Sequence, residues 1–243
     1  MNKLKKENFI MKRISLIIAL IFIIAFTKES FAVSGWQFGL NIPIGASFGF
    51  YKVRFSSDAS QTYKDTYAKR DTSVGFDSGL TVQAGYFVGD GDKGISLLLD
   101  LGYSHDTFAI KGSSTKESYT FESMQIGILP KFHKGNYAVG FGIGIKIPFQ
   151  LTHSASIGNN STISKYNIEH MNNLFKDLVI TYIKFSFDYS FYVFDKVAVL
   201  FGGYIGADFN LDLRGTEKRY VENRNLSSFD IGFQLGLKIG EGL

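Results

Sequence analysis

The sequence predicts an all-β chain, with eight antiparallel strands closed up-and-down into a barrel. Three observations predict it. Apolar residues alternate with period two, the spacing of a strand with unlike faces, and the alternation recurs eight times. The segments that join the runs are alternately short and long. The composition is rich in Gly (26), Phe (24) and Tyr (13) and holds three Pro and no Cys. Such a composition favours strands, and without Cys there is neither a disulfide framework nor a thiolate metal site.

The first 32 residues stand apart from this pattern. A Lys-rich stretch is followed by the wholly apolar run at 14–26, and then by a polar segment ending Ser-Phe-Ala at Ala32. These are the three regions of a cleavable secretory signal. A membrane helix is the alternative, but 13 residues rise only about 20 Å, against roughly 30 Å for a bilayer core. Met11 opens a self-sufficient signal and is an alternative start. Of the 26 basic and 22 acidic residues, six and two fall within 1–32, leaving 20 of each in the remainder. That neutral remainder offers no basic field for a nucleic-acid partner.

The expected barrel, residues 33–243, begins with the run Trp36–Phe50, apolar at every even position. The second run holds Val74, Phe76, Leu80, Val82, Ala84, Tyr86 and Val88 on one face, and the third Ile95, Leu97, Leu99, Leu101 and Tyr103. The fourth, Tyr119–Phe132, is the weakest, with Glu122 in phase with Met124, Ile126 and Ile128. The fifth runs from Tyr137 to Leu151, every odd position apolar, and the sixth from Val179 to Val193. The seventh spans Val197–Phe209 and the eighth Phe229–Ile239. Runs of this length exceed the strands usual in soluble sheets and meet the 9–11 residues that a tilted membrane strand needs.

Short turns are expected at Gly89–Gly94, His133–Asn136 and Phe194–Lys196. Long polar connections are expected at Lys52–Ser73, Lys111–Ser118, Thr152–Asp177 and Arg214–Ser227, with a short helix within Ile168–Leu178. Short periplasmic turns opposite longer external loops are the asymmetry of a transmembrane barrel. A soluble barrel around a ligand would also alternate. Here, however, the polar face is rich in glycine, which suits a cramped interior, and the apolar face is nearly free of charge. Aromatic residues cluster at both ends: Trp36, Tyr86, Phe132, Tyr137, Tyr189 and Phe191 at one, and Phe48, Phe50, Phe76, Phe149, Phe209 and Phe229 at the other. These read as interfacial girdles.

On these runs, connections and girdles, residues 33–243 resemble the small eight-stranded outer-membrane barrels of the OmpA-domain, OmpX and OmpW type. The resemblance implies a cell outer-membrane location, contact with outer-membrane lipids, delivery by the barrel-insertion machinery, and a monomer. Such chains usually end in an aromatic residue read by that machinery. This one ends Lys-Ile-Gly-Glu-Gly-Leu, where Leu243 keeps the parity of Phe229–Ile239.

An eight-stranded barrel is just wide enough for side chains to fill. The polar face carries Asp100, Lys146, Lys184, Asp188, Asp208 and Asp230 at mid-strand. Lys146 and Lys184 fall at similar depth by residue count, so these residues are expected to form a lumenal salt-bridge network, since unpaired charges there are costly. The alternative is a narrow small-solute channel lined by the same charges. For the further alternative, an outer-membrane lipid-modifying enzyme with its base and nucleophile at the outer rim, the pairs His105–Asp106 and His153–Ser154 are the candidates. Neighbours in a strand point to opposite faces, so neither pair forms locally, and no catalytic machinery is assigned. No spacing suits a metal, and the glycines at 140–144 precede no helix and are not a phosphate loop; no cofactor is expected. A structural role, or recognition of a host or surface ligand through the outer loops, is the function expected.

Overall fold

The computed structural model describes residues 33–68, 70–90, 92–112, 115–158, 160–214 and 220–240. The signal segment expected at 1–32 and the terminal Leu243 lie outside them. Eight long strands close into a ring: β1 (Val33–Phe55), β3 (Val74–Asp90), β4 (Lys93–Lys111), β5 (Thr115–Lys134), β6 (Tyr137–Ile157), β8 (Ile180–Phe194), β9 (Val197–Leu213) and β10 (Val221–Gly240). Each pairs antiparallel with its neighbours in the chain, and β1 closes on β10 from Gln37↔Gly240 to Phe55↔Val221. Two further strands, β2 (Asp71–Thr72) and β7 (Asn160–Asn167), add to β4 and β6. The helices are α1 (Gln61–Ala68) and α2 (Ile168–Leu174).

The tight hairpins sit at one end of the ring, where Asp90 pairs with Lys93, Lys134 with Tyr137 and Phe194 with Val197. A turn that short fixes the register of the whole ladder above it. At the other end the strands run well past the sequence-read boundaries. The expected loop at Lys111–Ser118 is mostly strand, and Thr152–Asp177 holds the end of β6, then β7 and α2. The external region is therefore a folded head rather than a set of loops.

Along the lower two-thirds of the ring the wall is apolar outside and polar inside. Trp36, Phe38, Leu40, Ile42 and Ile44 on β1 are exposed, while Gln37 and Asn41 between them are buried. The same holds on every ring strand, from Leu97, Leu99 and Leu101 on β4 to Phe229, Ile231, Phe233 and Leu235 on β10. From Phe38 to Phe48 the chain rises about 33 Å at about 3.3 Å per residue, or about 25 Å along the axis at a tilt near 40°. A continuous apolar belt of that height is incompatible with water and matches the hydrocarbon core of an outer membrane. The barrel spans that membrane, and backbone groups closed into a ring leave no edge to hydrogen-bond with lipid. At the hairpin end Trp36 packs edge-on against Tyr86 (5.8 Å between centroids) and Tyr137 against Tyr189 (5.1 Å).

Glycine makes the narrow lumen possible. Tyr204 packs along the wall over Gly232 and Gly45, and Tyr182 over Gly144 and Gly127; a Cβ added at Gly45 would stand 2.5 Å from the Tyr204 hydroxyl, one at Gly144 2.6 Å from the Tyr182 ring. Only a residue without a side chain admits an aromatic ring that close to the wall.

Above the belt the pattern inverts. On β4 the outward residues Ile95–Tyr103 are odd-numbered and apolar, but Phe108 and Ile110 are even-numbered and point inward, both buried. Phe108, Phe121, Leu151, Ile180, Leu211 and Leu226 from six strands meet Met171 and Phe175 from the α2 segment in a core inside the outer mouth. Leu151, expected outside with Phe149, faces inward. A bulge on β6, where Glu122 pairs Gln150 but Ser123 pairs Pro148, inserts one residue and reverses the faces beyond it. The barrel is a polar tube in the membrane with an apolar stopper above it.

Candidate functional site

Alternation turns every second side chain of eight strands into the lumen, so the buried polar residues collect there without further instruction from the sequence. They fall in three tiers. Nearest the hairpins, Lys131 Nζ donates to Asp188 Oδ2 at 2.8 Å and to Gln83 Oε1 at 3.2 Å. Asp188 also accepts from Gln234, and Lys238 Nζ donates to the Tyr192 hydroxyl at 2.6 Å. Midway, Asp100 accepts from Gln83 (3.0 Å), Gln125 (2.7 Å) and the Tyr182 hydroxyl (3.3 Å). Highest, Lys146 Nζ donates to Asp106 Oδ1 at 2.7 Å and Asp208 Oδ2 at 2.8 Å. Beside it the Tyr204 hydroxyl donates to Asp77 at 2.8 Å and Ser228 to Asp230 at 3.2 Å. Charge-assisted bonds of this kind are about twice as strong as neutral ones.

All six lumenal residues named from the sequence are buried within the barrel. Their partners differ from the expectation. Of the four carboxylates, Asp208 reaches Lys146. Asp188 pairs with Lys131, a residue the periodicity did not single out. Asp100 is held by amides and a phenol, and Asp230 by a serine hydroxyl. Lys184 is not beside Lys146: the register sets it opposite Gly142, about 13 Å along the strand from Lys146. Among the described residues no carboxylate reaches it within ion-pair distance, and its ammonium stands 5.2 Å from the Tyr204 ring centroid, a cation–π contact. Asp77 and Lys131, and Asp106 outside its pairing with His105, are not singled out as lumenal charges by the sequence, because a residue count along one strand carries no information on what the opposite wall presents.

The two histidine pairs part as their alternation requires. Asp106 turns inward to Lys146, while His105 turns outward to Glu122 on β5, Nδ1 to Oε1 at 2.9 Å. Glu122, the charged residue that weakened the fourth run, thus has a partner, and it also accepts from the Tyr103 hydroxyl. His153 lies stacked on Tyr119 with centroids 4.5 Å apart, and burial holds its imidazole below the ordinary histidine pKa. Among the described residues no group of three or more His, Asp or Glu is arranged to hold a metal ion.

The head is latched from several sides. Arg70 pairs with Glu117 at 3.0 Å and covers the Tyr51 ring at 4.7 Å. Arg214 Nε donates to the Phe175 carbonyl at 2.8 Å, and Asn167 caps α2 by accepting from the His170 amide at 3.1 Å. Beneath the head, among Asp77, Asp106, Lys146 and Asp208, lies a void of about 40 Å³, room for roughly three waters.

No protein-family model matches the chain, and no curated protein matches its sequence. Solved structures do. Neisserial surface protein A aligns over 85% of this chain and 98% of its own, with 10% identity and a TM-score of 0.34. The outer membrane protease OmpT of Escherichia coli aligns over 86% and 99%, with 8% identity and a TM-score of 0.37. Ail, the attachment invasion locus protein of Yersinia pestis, aligns over 83% and 99%, with 6% identity and a TM-score of 0.32. In architecture the chain resembles the small outer-membrane β-barrels.

Proposed function

We propose that this protein is a sealed outer-membrane barrel that acts through its external head, as a structural or surface-interaction protein, after delivery by the leader at 1–32. The observation that carries this reading is the apolar stopper of Phe108, Phe121, Leu151, Met171 and Phe175 seated on an ion-paired lumen. A hydrated ion would have to strip its water to pass the stopper, and would then have to break the Lys146 pairs below it. The head is where a partner would dock: it is held rigid by its own core and presents polar side chains on strands and helices rather than on slack loops.

Planar-bilayer recording tests the proposal. Purified protein inserted in a bilayer is expected to give no steady conductance. A well-defined, persistent conductance would overturn it, and the described lumen, with six buried Asp against four buried Lys, would make that pore cation-selective.

A further inference from the structure

The outer wall carries a group of chemistry-bearing side chains that the sealed lumen does not use. Ser78 on β3 is the direct cross-strand partner of His105 on β4, and His105 of Glu122 on β5. Partners in a ladder share a face, so the three side chains stand in one lateral row on the outside of the barrel. Glu122 Oε1 bonds His105 Nδ1 at 2.9 Å, which orients the imidazole and leaves Nε2 for another partner. Neighbouring strands hold facing Cβ atoms about 4.5–5.5 Å apart, so the Ser78 and His105 side chains are direct neighbours on this face, with no hydrogen bond formed between them in this structure. Nucleophile, base and orienting carboxylate are thereby adjacent.

The height of the row is equally specific. Directly below it on β4 and β5 are the lipid-facing Tyr103, Leu101, Met124 and Ile126. Above it the outward positions on β4 and β5 are Thr107, Ala109, Thr120 and Ser118, of which Thr107 and Ala109 are covered, while on β3 the exposed Phe76 and Val74 carry the apolar face past Ser78. Phe76 of the outer girdle lies beside the His105 ring, with centroids 6.0 Å apart. The row therefore stands just beneath the outer aromatic girdle at Phe76, close to the depth at which membrane lipids carry their acyl-ester carbonyls.

We propose that Ser78, His105 and Glu122 form an interfacial acyl-ester hydrolase site whose substrate is an ester-linked chain of a neighbouring membrane lipid. The Ser78 Oγ attacks the ester carbonyl carbon as His105 Nε2 takes its proton. The carbon–oxygen bond to the glycerol or sugar then breaks, and His105 returns the proton to that leaving oxygen. Water, deprotonated by the same imidazole, attacks the acyl-serine, releasing a fatty acid and restoring Ser78. Glu122 stays ionised throughout and stabilises the imidazolium. The site is independent of whether the lumen is sealed.

The test is fatty-acid release by full-length barrel in vesicles, read by mass spectrometry, with folding followed by the mobility of unheated protein in gels. One vesicle set contains ester-linked phosphatidylethanolamine, a second its ether-linked analogue, and a third an ester-acylated outer-leaflet glycolipid. Release is expected from an ester-linked set and none from the ether analogue, and the set that is cleaved identifies the lipid source. Folded Ser78→Ala and His105→Asn should each lose about 10²–10⁴-fold, and Glu122→Gln a smaller factor. No release from either ester-linked set, or release that survives Ser78→Ala, would overturn the proposal.

Discussion

Lys146→Met is expected to destabilise the folded barrel by about 3–5 kcal/mol, the range for removing one partner of a buried ion pair. Lys146 is the single cation placed between Asp106 at 2.7 Å and Asp208 at 2.8 Å, both almost inaccessible to solvent. Methionine keeps the volume and removes the charge, so two carboxylates are left facing each other with no cation between them. The energetic cost is the desolvation of those carboxylates, since a buried pair adds little over an apolar replacement of the whole group. Neutralising both partners in the same background, as Lys146→Met/Asp106→Asn/Asp208→Asn, should therefore recover most of the loss. Urea unfolding followed through Trp36, the only tryptophan in the sequence, reads both effects. A loss below about 1 kcal/mol would mean that the lumen is wet and the pair is screened by water.

Phe121→Ala is expected to cost a similar amount, about 3–5 kcal/mol, but in a different place. The ring is fully buried, edge-on to Phe108 at 5.6 Å and to Phe175 at 5.5 Å. Deleting it empties the centre of the stopper. The Arg214 and Asn167 contacts hold α2 from its ends and do not refill that space. Amide exchange should accelerate in Ile168–Phe175 and in the outer ends of β4 and β5, while the belt stays protected. Uniform acceleration over the whole barrel would show that head and membrane ring unfold as one unit.

Much of this fold is legible in the sequence for a simple reason: lipid outside and a narrow lumen inside impose strict period-two alternation, and no tertiary detail can override it. The eight runs, the girdles and the polar interior follow directly. The pattern loses its meaning at the outer membrane surface, where the environments exchange. There the outward face must be polar and the inward face apolar, so Phe108 and Ile110 fall out of phase with Ile95–Tyr103, and the head resembles a string of polar loops. The phase change between Tyr103 and Phe108 is itself the readable signal. Bulges hide more: one extra residue near Phe149 moves Leu151 from lipid to core, and another on β9, where Phe209 and Asn210 (φ 72°) together face Ser227, does the same for Leu211.

The lumenal partners were legible as a set of residue types but not as pairs. Lys146 meets Asp106 and Asp208 across the bore, and Lys184 meets Tyr204, because strand tilt and shear decide which side chains confront each other. The outer-wall row was hidden for a milder reason. Once the hairpin at Asp90↔Lys93 is fixed, counting up the ladder pairs Ser78 with His105, and the hairpin at Lys134↔Tyr137 fixes what β5 offers to β6. Sequence neighbours such as His105 and Asp106 were the wrong place to seek a pair, since alternation sends one to the lipid and the other to the lumen.

The central claim, that the apolar face is the lipid face, is most directly tested by site-directed spin labelling. The chain has no cysteine, so single Cys variants at Leu97, Leu99, Leu101 and Lys116 can be labelled without background. In reconstituted vesicles the three leucine positions should collide with dissolved oxygen and be shielded from a water-soluble nickel chelate, while the Lys116 position in the head should meet the chelate freely. Nickel access at Leu97, Leu99 and Leu101 equal to that at Lys116 would place the belt in water and contradict the membrane-spanning barrel.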